Sequence, residues 1–278
     1  GAPTIPNGVK CVSIERKLGI HVSPTCVMSY GDEEDCIGER PGPEMGGLKA
    51  MFTMINNARI GVGNQGVQVA ERAMQQAMAY ARERIQSPRA DGSSAGRSVA
   101  IAGHPDVRRM LLRMKALTQG ARALLYYAAG QADRAHLGDA AAKARLDLVT
   151  PLVKSYGSNV ACEVASIGVQ VHGGTGYVEE TGAAQHYRDA RILPIYEGTN
   201  GIQAADLVGR KLKADNGAAF GKLLDDIRSD CTGIKSVQAL ADATARAAAW
   251  MLDGAGVNDR LAGSHAFMRS EARRVGKE

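Results

Sequence analysis

A chain of 278 residues that is 45% hydrophobic has enough apolar side chain for a substantial core, and its length predicts about two domains. Aromatics make up only 4% while Ala and Gly abound, which excludes an aromatic-rich β-sandwich and suits helices packed closely through small residues. The net charge of +5 comes from Lys and Arg interleaved with Asp and Glu, a pattern of solvated helix faces that argues against a nucleic-acid partner.

No apolar run approaches the roughly 20 residues that span a bilayer, and the N-terminus lacks a charged start followed by an apolar core, so no membrane association is expected. Cys11, Cys26, Cys36, Cys162 and Cys231 form no CxxC pair and have no histidine at metal spacing. They read as reduced structural thiols of a cytoplasmic protein without a metal site.

In chain order, residues 9–14 and 25–30 are short β-prone runs separated by Gly19 and Pro24, and predict the end of a sheet. The run Asp32-Glu33-Glu34-Asp35 predicts a solvated turn, because consecutive carboxylates cannot converge on one ion from a strand. The Gly- and Pro-rich residues 42–47 mark a boundary. A helix is predicted over 48–84, with Val62, Val69, Ala73, Ala77 and Ala81 on one stripe. Within it Gly61, Gly63 and Gly66 each cost roughly 1 kcal/mol of helix propensity, so their small size is expected to admit another helix or a ligand.

Residues 85–103 read as an exposed loop, followed by a helix from Pro105 to about Gly130 carrying Val107, Met110, Met114, Leu117, Ala121, Leu124 and Ala128 at helical spacing. A third helix is predicted from about Asp139 to Val171. Its Pro151 predicts a kink or a restart, with Thr150 as a possible cap. It ends in Gly173-Gly174-Thr175-Gly176. Asn200 is the expected cap of a fourth helix running to about Leu212, with Gln203 as reciprocal partner. Helical patterns over 218–230 and 237–253 follow, linked by Gly233 and ended by Gly254. The last ten residues, 269–278, resemble a translated sequencing-adapter read-through and are set aside as non-native.

Three constellations compete for the chemistry. Gly92-Ser93-Ser94-Ala95-Gly96 matches the G-x-S-x-G of serine hydrolases, but a nucleophile elbow needs a strand before the serine and a helix after it. Ser87-Pro88-Arg89-Ala90-Asp91 precedes it instead, and the His172-Gly173-Gly174 element falls on the wrong side of the serine, so the match is accidental. A second reading is a non-catalytic helical-bundle interaction protein, with the glycines as caps and Glu197 as a surface or cap residue. In the third, Glu197, set between Tyr196 and Gly198 in a loop entering a helix, is a catalytic base.

The third reading is carried by several elements in a fixed order: Asn56-Asn57-Ala58-Arg59-Ile60-Gly61-Val62-Gly63, Tyr80-Ala81-Arg82-Glu83-Arg84, His104-Pro105-Asp106-Val107, Gln170-Val171-His172-Gly173-Gly174-Thr175-Gly176-Tyr177, and Arg188-Asp189-Ala190-Arg191 leading into Tyr196-Glu197-Gly198-Thr199. No one of these is decisive; together, over about residues 5–213, the chain resembles the acyl-CoA dehydrogenases. Residues 17–26 and the helical patterns after Ala218 make it most similar to the larger bacterial members with an extra C-terminal helical region, a group that includes the 3-methylmercaptopropionyl-CoA dehydrogenases.

The resemblance implies a mainly α fold: the C-terminal four-helix bundle of the acyl-CoA dehydrogenases (46–213), preceded by the remnant of their middle β-domain (1–45) and followed by the start of an additional helical region (214–268). It implies FAD as cofactor, an acyl-CoA substrate, electron-transferring flavoprotein as electron acceptor, and a homodimer or homotetramer. Glu197 matches the base that removes the α-proton of the thioester. Arg84 matches an arginine on the FAD pyrophosphate, where a fixed cation suits a diphosphate, although a solvated helix-end arginine would look the same. Gln170, Gly173 and Gly174 match the segment on the adenosine half of FAD, often that of a neighbouring subunit. Thr199 matches a residue near the adenine diphosphate of FAD or its ribityl link. Tyr196 and Gly198 flank the base on the substrate side, and Arg59 lines the floor beside it or forms a buried structural pair.

The chain departs from the family pattern at Gly201, where many relatives carry a glutamine, and at Ile85-Gln86-Ser87-Pro88, which replaces a Phe-Gly turn. The family's N-terminal helical domain and first β-domain strands have no counterpart, so the chain is expected to be truncated and, alone, not to hold FAD or turn over.

Overall fold

The computed structural model describes residues 7–40 and 42–275, and the chain divides into two compact units between Ile55 and Asn56. The first unit holds an antiparallel hairpin of β1 (Val9–Ile14) and β2 (Cys26–Tyr30), whose register shifts between Cys11 and Ser13. Every residue of β1 is exposed. Asn7 closes the unit by exchanging two hydrogen bonds with the backbone of Ile37, at 3.0 and 2.7 Å. The acidic run is a solvated turn as expected: Glu33 pairs with Lys10 and Asp32 accepts from Ser29, so the carboxylates diverge.

Helix α1 (Gly47–Glu83) crosses the division, and its later turns open the second unit. The expected loop after it is in part a two-stranded ribbon, β3 (Ile85–Pro88) paired antiparallel with β4 (Ser98–Ala100). Strands of four and three residues are too short to show alternation against the Gly and Pro around them. Between them Gly92 and Gly96 take φ of +74° and +76°, and the Ser94 hydroxyl accepts from the Arg89 N–H at 3.0 Å. No helix follows this serine directly, so it sits in a turn and not in a nucleophile elbow.

Helix α2 (Pro105–His136) outruns its predicted end by six residues, because nothing breaks it until Gly138 at φ +94°. A three-residue connection then leads into α3 (Ala140–His172), making the two antiparallel neighbours. Asp139 caps α3, accepting from the Ala142 N–H at 2.9 Å. The helix passes Pro151 without restarting, and Thr150 is not a cap: its hydroxyl donates to the Leu146 carbonyl at 2.7 Å.

The α1 glycines act where α1 meets α3. A Cβ on Gly66 would stand 2.5 Å from the Gly157 carbonyl carbon, and one on Gly157 would stand 2.7 Å from the Gly63 oxygen. Two backbones therefore touch, which only glycine permits. Gly61 has nothing within 4 Å and is exposed, so the expected close approach does not reach it. Buried Val62, Ala73, Ala77 and Ala81 of α1 meet Met114, Leu124 and Ala128 of α2 and Val149, Val153, Val160 and Val164 of α3 in one core.

An ion pair at 2.8 Å joins Glu71 on α1 to Arg122 on α2. The hydrogen bond donated by Arg122 holds the Glu71 carboxyl below its ordinary range, against the opposing effect of burial, and Gln75 adds to the lowering. A lowered folded value stabilises the protein at neutral pH, and that contribution is lost as pH falls through it. Arg122→Ala is expected to flatten the acid limb of thermal stability; melts at descending pH that superimpose on wild type would remove this pair from the account.

After the short helix α4 (Ala183–Ala190), helix α5 (Asn200–Asp206) continues as a π-helical turn over Leu207–Lys211, with the Leu212 N–H bonded to the Leu207 carbonyl at 2.8 Å. Helices α6 (Ala218–Asp230), α7 (Lys235–Ala249) and α8 (Val257–Val275) follow, with a second π-helical turn over Trp250–Gly254. Phe220 and Phe267, with ring centroids 5.8 Å apart, tie α6 to α8. The helical backbone of α8 runs on to Val275, through most of the polar tail set aside above. Among the described residues no helix is long and apolar enough to cross a membrane.

Candidate active site

The segment between α4 and α5 is a series of tight turns in which Ile195 and Tyr196 both donate to the Ile192 carbonyl, at 2.8 and 3.1 Å. They deliver Glu197 at φ +54° and Gly198 at φ +81°. A left-handed glutamate costs of order 1–3 kcal/mol and persists only where its surroundings enforce it. Here the fully buried Gln203 directs its side-chain N–H toward the Glu197 and Gly198 carbonyls, at 3.5 and 3.4 Å. Any Cβ on Gly198 would lie 2.7 Å from that nitrogen, which reserves the position for glycine. On the other side the Tyr196 hydroxyl donates to Gln65 of α1.

Thr199, and not Asn200, caps α5: its hydroxyl accepts from the Ile202 N–H at 3.2 Å. Asn200 is buried as the first residue of the helix because α3 recruits its amide. Lys154 donates to Asn200 Oδ1 at 3.0 Å, and Asn200 Nδ2 donates to Ser158 Oγ and Asn159 Oδ1, each at 3.0 Å. Gln203 accordingly serves the loop carbonyls and not the reciprocal capping bond expected of it.

Arg59 reaches the same place from α1. It is 5% exposed, pairs with Asp206 at 3.5 Å and donates to Asn56 at 3.3 Å. Asp206 in turn accepts from Arg210 at 2.7 Å. The Arg59 Nε and the Gln203 Oε1 are buried without a partner. Of the two sequence alternatives for Arg59, the buried pair is what the structure shows, and its guanidinium stands 3.7 Å from where a Gly198 Cβ would be. Burial pushes the Lys154 ammonium down to about 8, helped by Arg59 and opposed by Glu197. Burial also raises the Tyr196 phenol, with the Glu197 carboxylate adding to it.

Glu197, Tyr196, Gly198, Thr199 and Arg59 are thus brought together, with Glu197 exposed at the surface of a buried polar cluster. The other predicted residues lie elsewhere. Arg84, Gln170 and Gly173 line a cleft of about 400 Å³ at the far end of α3, with Gly174 beside them. Lys154 and His172 are 18 residues apart on one helix, which at 1.5 Å per residue separates the two places by about 27 Å. Arg84 forms no ion pair among the described residues. The Tyr80 and His172 rings, which also line the cleft, stack at 4.5 Å, and Thr175 donates to the Tyr80 hydroxyl at 3.2 Å. A free guanidinium beside a glycine at φ +61° and another with open space at its Cβ position makes a donor set suited to a diphosphate.

At the two departures from the family pattern, Ser87 takes φ +60° within β3, just after Arg84, and Gly201 leaves room for a side chain, its Cβ position meeting only Thr199 Oγ1 at 3.7 Å. Sequence reasoning passed over Lys154, Asp206 and the loop-holding role of Gln203. The available signal was Lys154 itself, the one charge between Leu148 and Ala161.

The family described as "Acyl-CoA dehydrogenase, C-terminal domain" matches residues 45–212. The chain is 54% identical over 215 residues to the 3-methylmercaptopropionyl-CoA dehydrogenase of Ruegeria pomeroyi, a match covering 76% of this chain and 36% of that protein. The butyryl-CoA dehydrogenase structure from Megasphaera elsdenii superposes with a TM-score of 0.60 at 30% identity, over 74% of this chain and 49% of that one. Caenorhabditis elegans ACDH-11 in complex with C11-CoA superposes with a TM-score of 0.84 at 24% identity, over 97% of this chain and 46% of that one. That last likeness is one of fold, and its coverage is too high to leave out the helices after Gly217. The chain spans less than half the length of these relatives. It belongs to the acyl-CoA dehydrogenase family.

Proposed function

We propose that the protein catalyses FAD-dependent α,β-dehydrogenation of an acyl-CoA thioester to a trans-2-enoyl-CoA, with Glu197 taking the α-proton. The observation that carries this reading is the exposed Glu197 carboxylate on a left-handed backbone, fastened by Gln203 and Tyr196 above a buried group that includes Arg59 and Lys154. A surface cap residue has no need of such support. The α-proton of a thioester is a weak acid, so the base must be fixed in position and partly shielded from water. Half-buried Tyr196 supplies the shielding on the protein side, and the Glu197 backbone N–H is offered to the thioester carbonyl, where negative charge develops.

FAD, when bound, supplies the acceptor for the β-hydride. Arg84, Gln170, Gly173 and Gly174 would hold its diphosphate and adenosine end, and Thr199 its diphosphate or ribityl link. The separation of about 27 Å along α3 suits an arrangement in which these two sets serve cofactors of two subunits, so a homodimer or homotetramer is part of the reading. The reading also takes electron-transferring flavoprotein as electron acceptor, a cytoplasmic location, and residues 46–213 as the bundle domain between a β-domain remnant and an added helical region.

Anaerobic addition of acyl-CoA thioesters of graded chain length to the FAD-loaded protein tests this. At least one is expected to bleach the oxidised flavin and yield the enoyl product. Because the chain spans less than half the length of its relatives, the test uses a protein in which this chain is joined to the rest of the family fold. Such a protein that folds but binds no flavin, or whose flavin no acyl-CoA reduces, rejects the reading.

A further inference from the structure

We propose that Lys154 is a positioning residue for the base: its buried ammonium anchors Asn200 at the start of α5 and sets, with Arg59, the charge beneath Glu197. The inference rests on the functional reading above and adds to it a residue of the α3 helix.

Lys154 is the largest fully buried side chain among the described residues. An ammonium taken out of water is costly unless paired, yet among the described residues Lys154 forms no ion pair. Its one hydrogen bond goes to the Asn200 side chain, at 3.0 Å. The Asn200 amide nitrogen donates to Ser158 Oγ and Asn159 Oδ1, each at 3.0 Å, and the Ser158 hydroxyl donates on to the Ser155 carbonyl. Lys154, which can only donate, therefore fixes the amide oxygen and with it the orientation of the group. Asn200 also donates its backbone N–H to Pro194 at 3.0 Å, across the loop that carries Glu197. Lys154 thus acts through Asn200 on both ends of the catalytic loop.

The charges around Lys154 come from each neighbouring element. Arg59 of α1 disfavours its proton and the Glu197 carboxylate of the loop favours it. Asp206 of α5 neutralises Arg59 and is shared with Arg210 of the π-helical turn. Glu197 is therefore the one carboxylate that favours the lysine's charge, and taking up the α-proton removes that support. A lysine that merely filled space would have no such coupling.

The test uses the FAD-loaded enzyme and the substitutions Lys154→Met, which keeps the packing without charge or hydrogen bond, and Lys154→Gln, which keeps a donor without charge. Lys154→Met is expected to lower kcat about tenfold or more with little change in KM, since a small misplacement of a base is costly. Flavin content should be kept. Wild-type kcat/KM is expected to fall as pH rises through about 8, where Lys154 loses its proton, and Lys154→Met should lack that limb. Lys154→Gln is expected to recover part of kcat but not the limb.

A second measurement does not depend on turnover. In protein labelled at the lysine ε-carbon, the Lys154 resonance should titrate near pH 8 and move lower in Glu197→Gln, because the favouring charge is gone. A wild-type pH profile in Lys154→Met, or a Lys154 titration indifferent to Glu197→Gln, overturns the proposal while leaving the function intact. Retained turnover in Glu197→Gln instead removes Glu197 from the role of base on which the proposal rests, and the two failures are separable.

Discussion

Glu197→Gln is expected to lose turnover by about 10²- to 10⁴-fold while keeping flavin bound and the bundle folded. Glutamine has the shape of glutamate and can occupy the same left-handed position, since Gln203 holds the loop through main-chain carbonyls and Tyr196 holds it through Gln65. What it lacks is an oxygen able to accept the α-proton at neutral pH. The residue is exposed, so the melting midpoint should stay close to wild type. Steady-state dye reduction with an acyl-CoA, flavin absorbance and a thermal melt on one preparation separate the effects. More than about a tenth of wild-type activity would place the base elsewhere.

The helices were legible because their apolar residues recur at three and four. In α2 the signal fades after Ala128, but the backbone continues to His136, since periodicity reports which face is buried and only Gly138 stops the chain. Thr199 and Asn200 are both good caps by type. The choice between them was made by Lys154, Ser158 and Asn159 of α3, 41 to 46 positions away in sequence, which hold the Asn200 amide, and no local rule contains that. The helix also passes Pro151, because the packed core on both sides outweighs one missing hydrogen bond.

The site divides in the same way. Glu197 was found through the order of motifs around it; its positive φ was not foreseen, because such geometry normally points to glycine. Lys154 was missed because a lysine on an amphipathic helix is assigned to solvent, although Val149, Leu152, Val153 and Val160 around it are all buried. A lone charge within an apolar stretch is the local sign of a buried polar cluster. Arg84 and Glu197 were given different jobs from sequence, a diphosphate contact and a base, and the length of α3 sets the distance of about 27 Å between their two places, which no local pattern contains.

Replacing glycine by alanine at two positions of α1 should move stability in opposite directions. Gly61 is exposed, with nothing within 4 Å of its Cβ position, so Gly61→Ala should gain about 1 kcal/mol from helix propensity. Gly66 faces the Gly157 backbone, and an added methyl would stand 2.5 Å from the carbonyl carbon and 3.0 Å from the Ser158 nitrogen. Backbone cannot rotate away as a side chain can, so α1 and α3 must separate, loosening the packing of Val62 and Val67 against α3. Gly66→Ala should therefore lose about 3 kcal/mol, a fall of roughly 6–12 °C in Tm for a unit of this size. The same separation would draw Arg59 on α1 away from Lys154 on α3, so flavin reduction by acyl-CoA should slow in Gly66→Ala and not in Gly61→Ala. Parallel melts in which both substitutions raise Tm would show that the two helices do not meet backbone to backbone at Gly66.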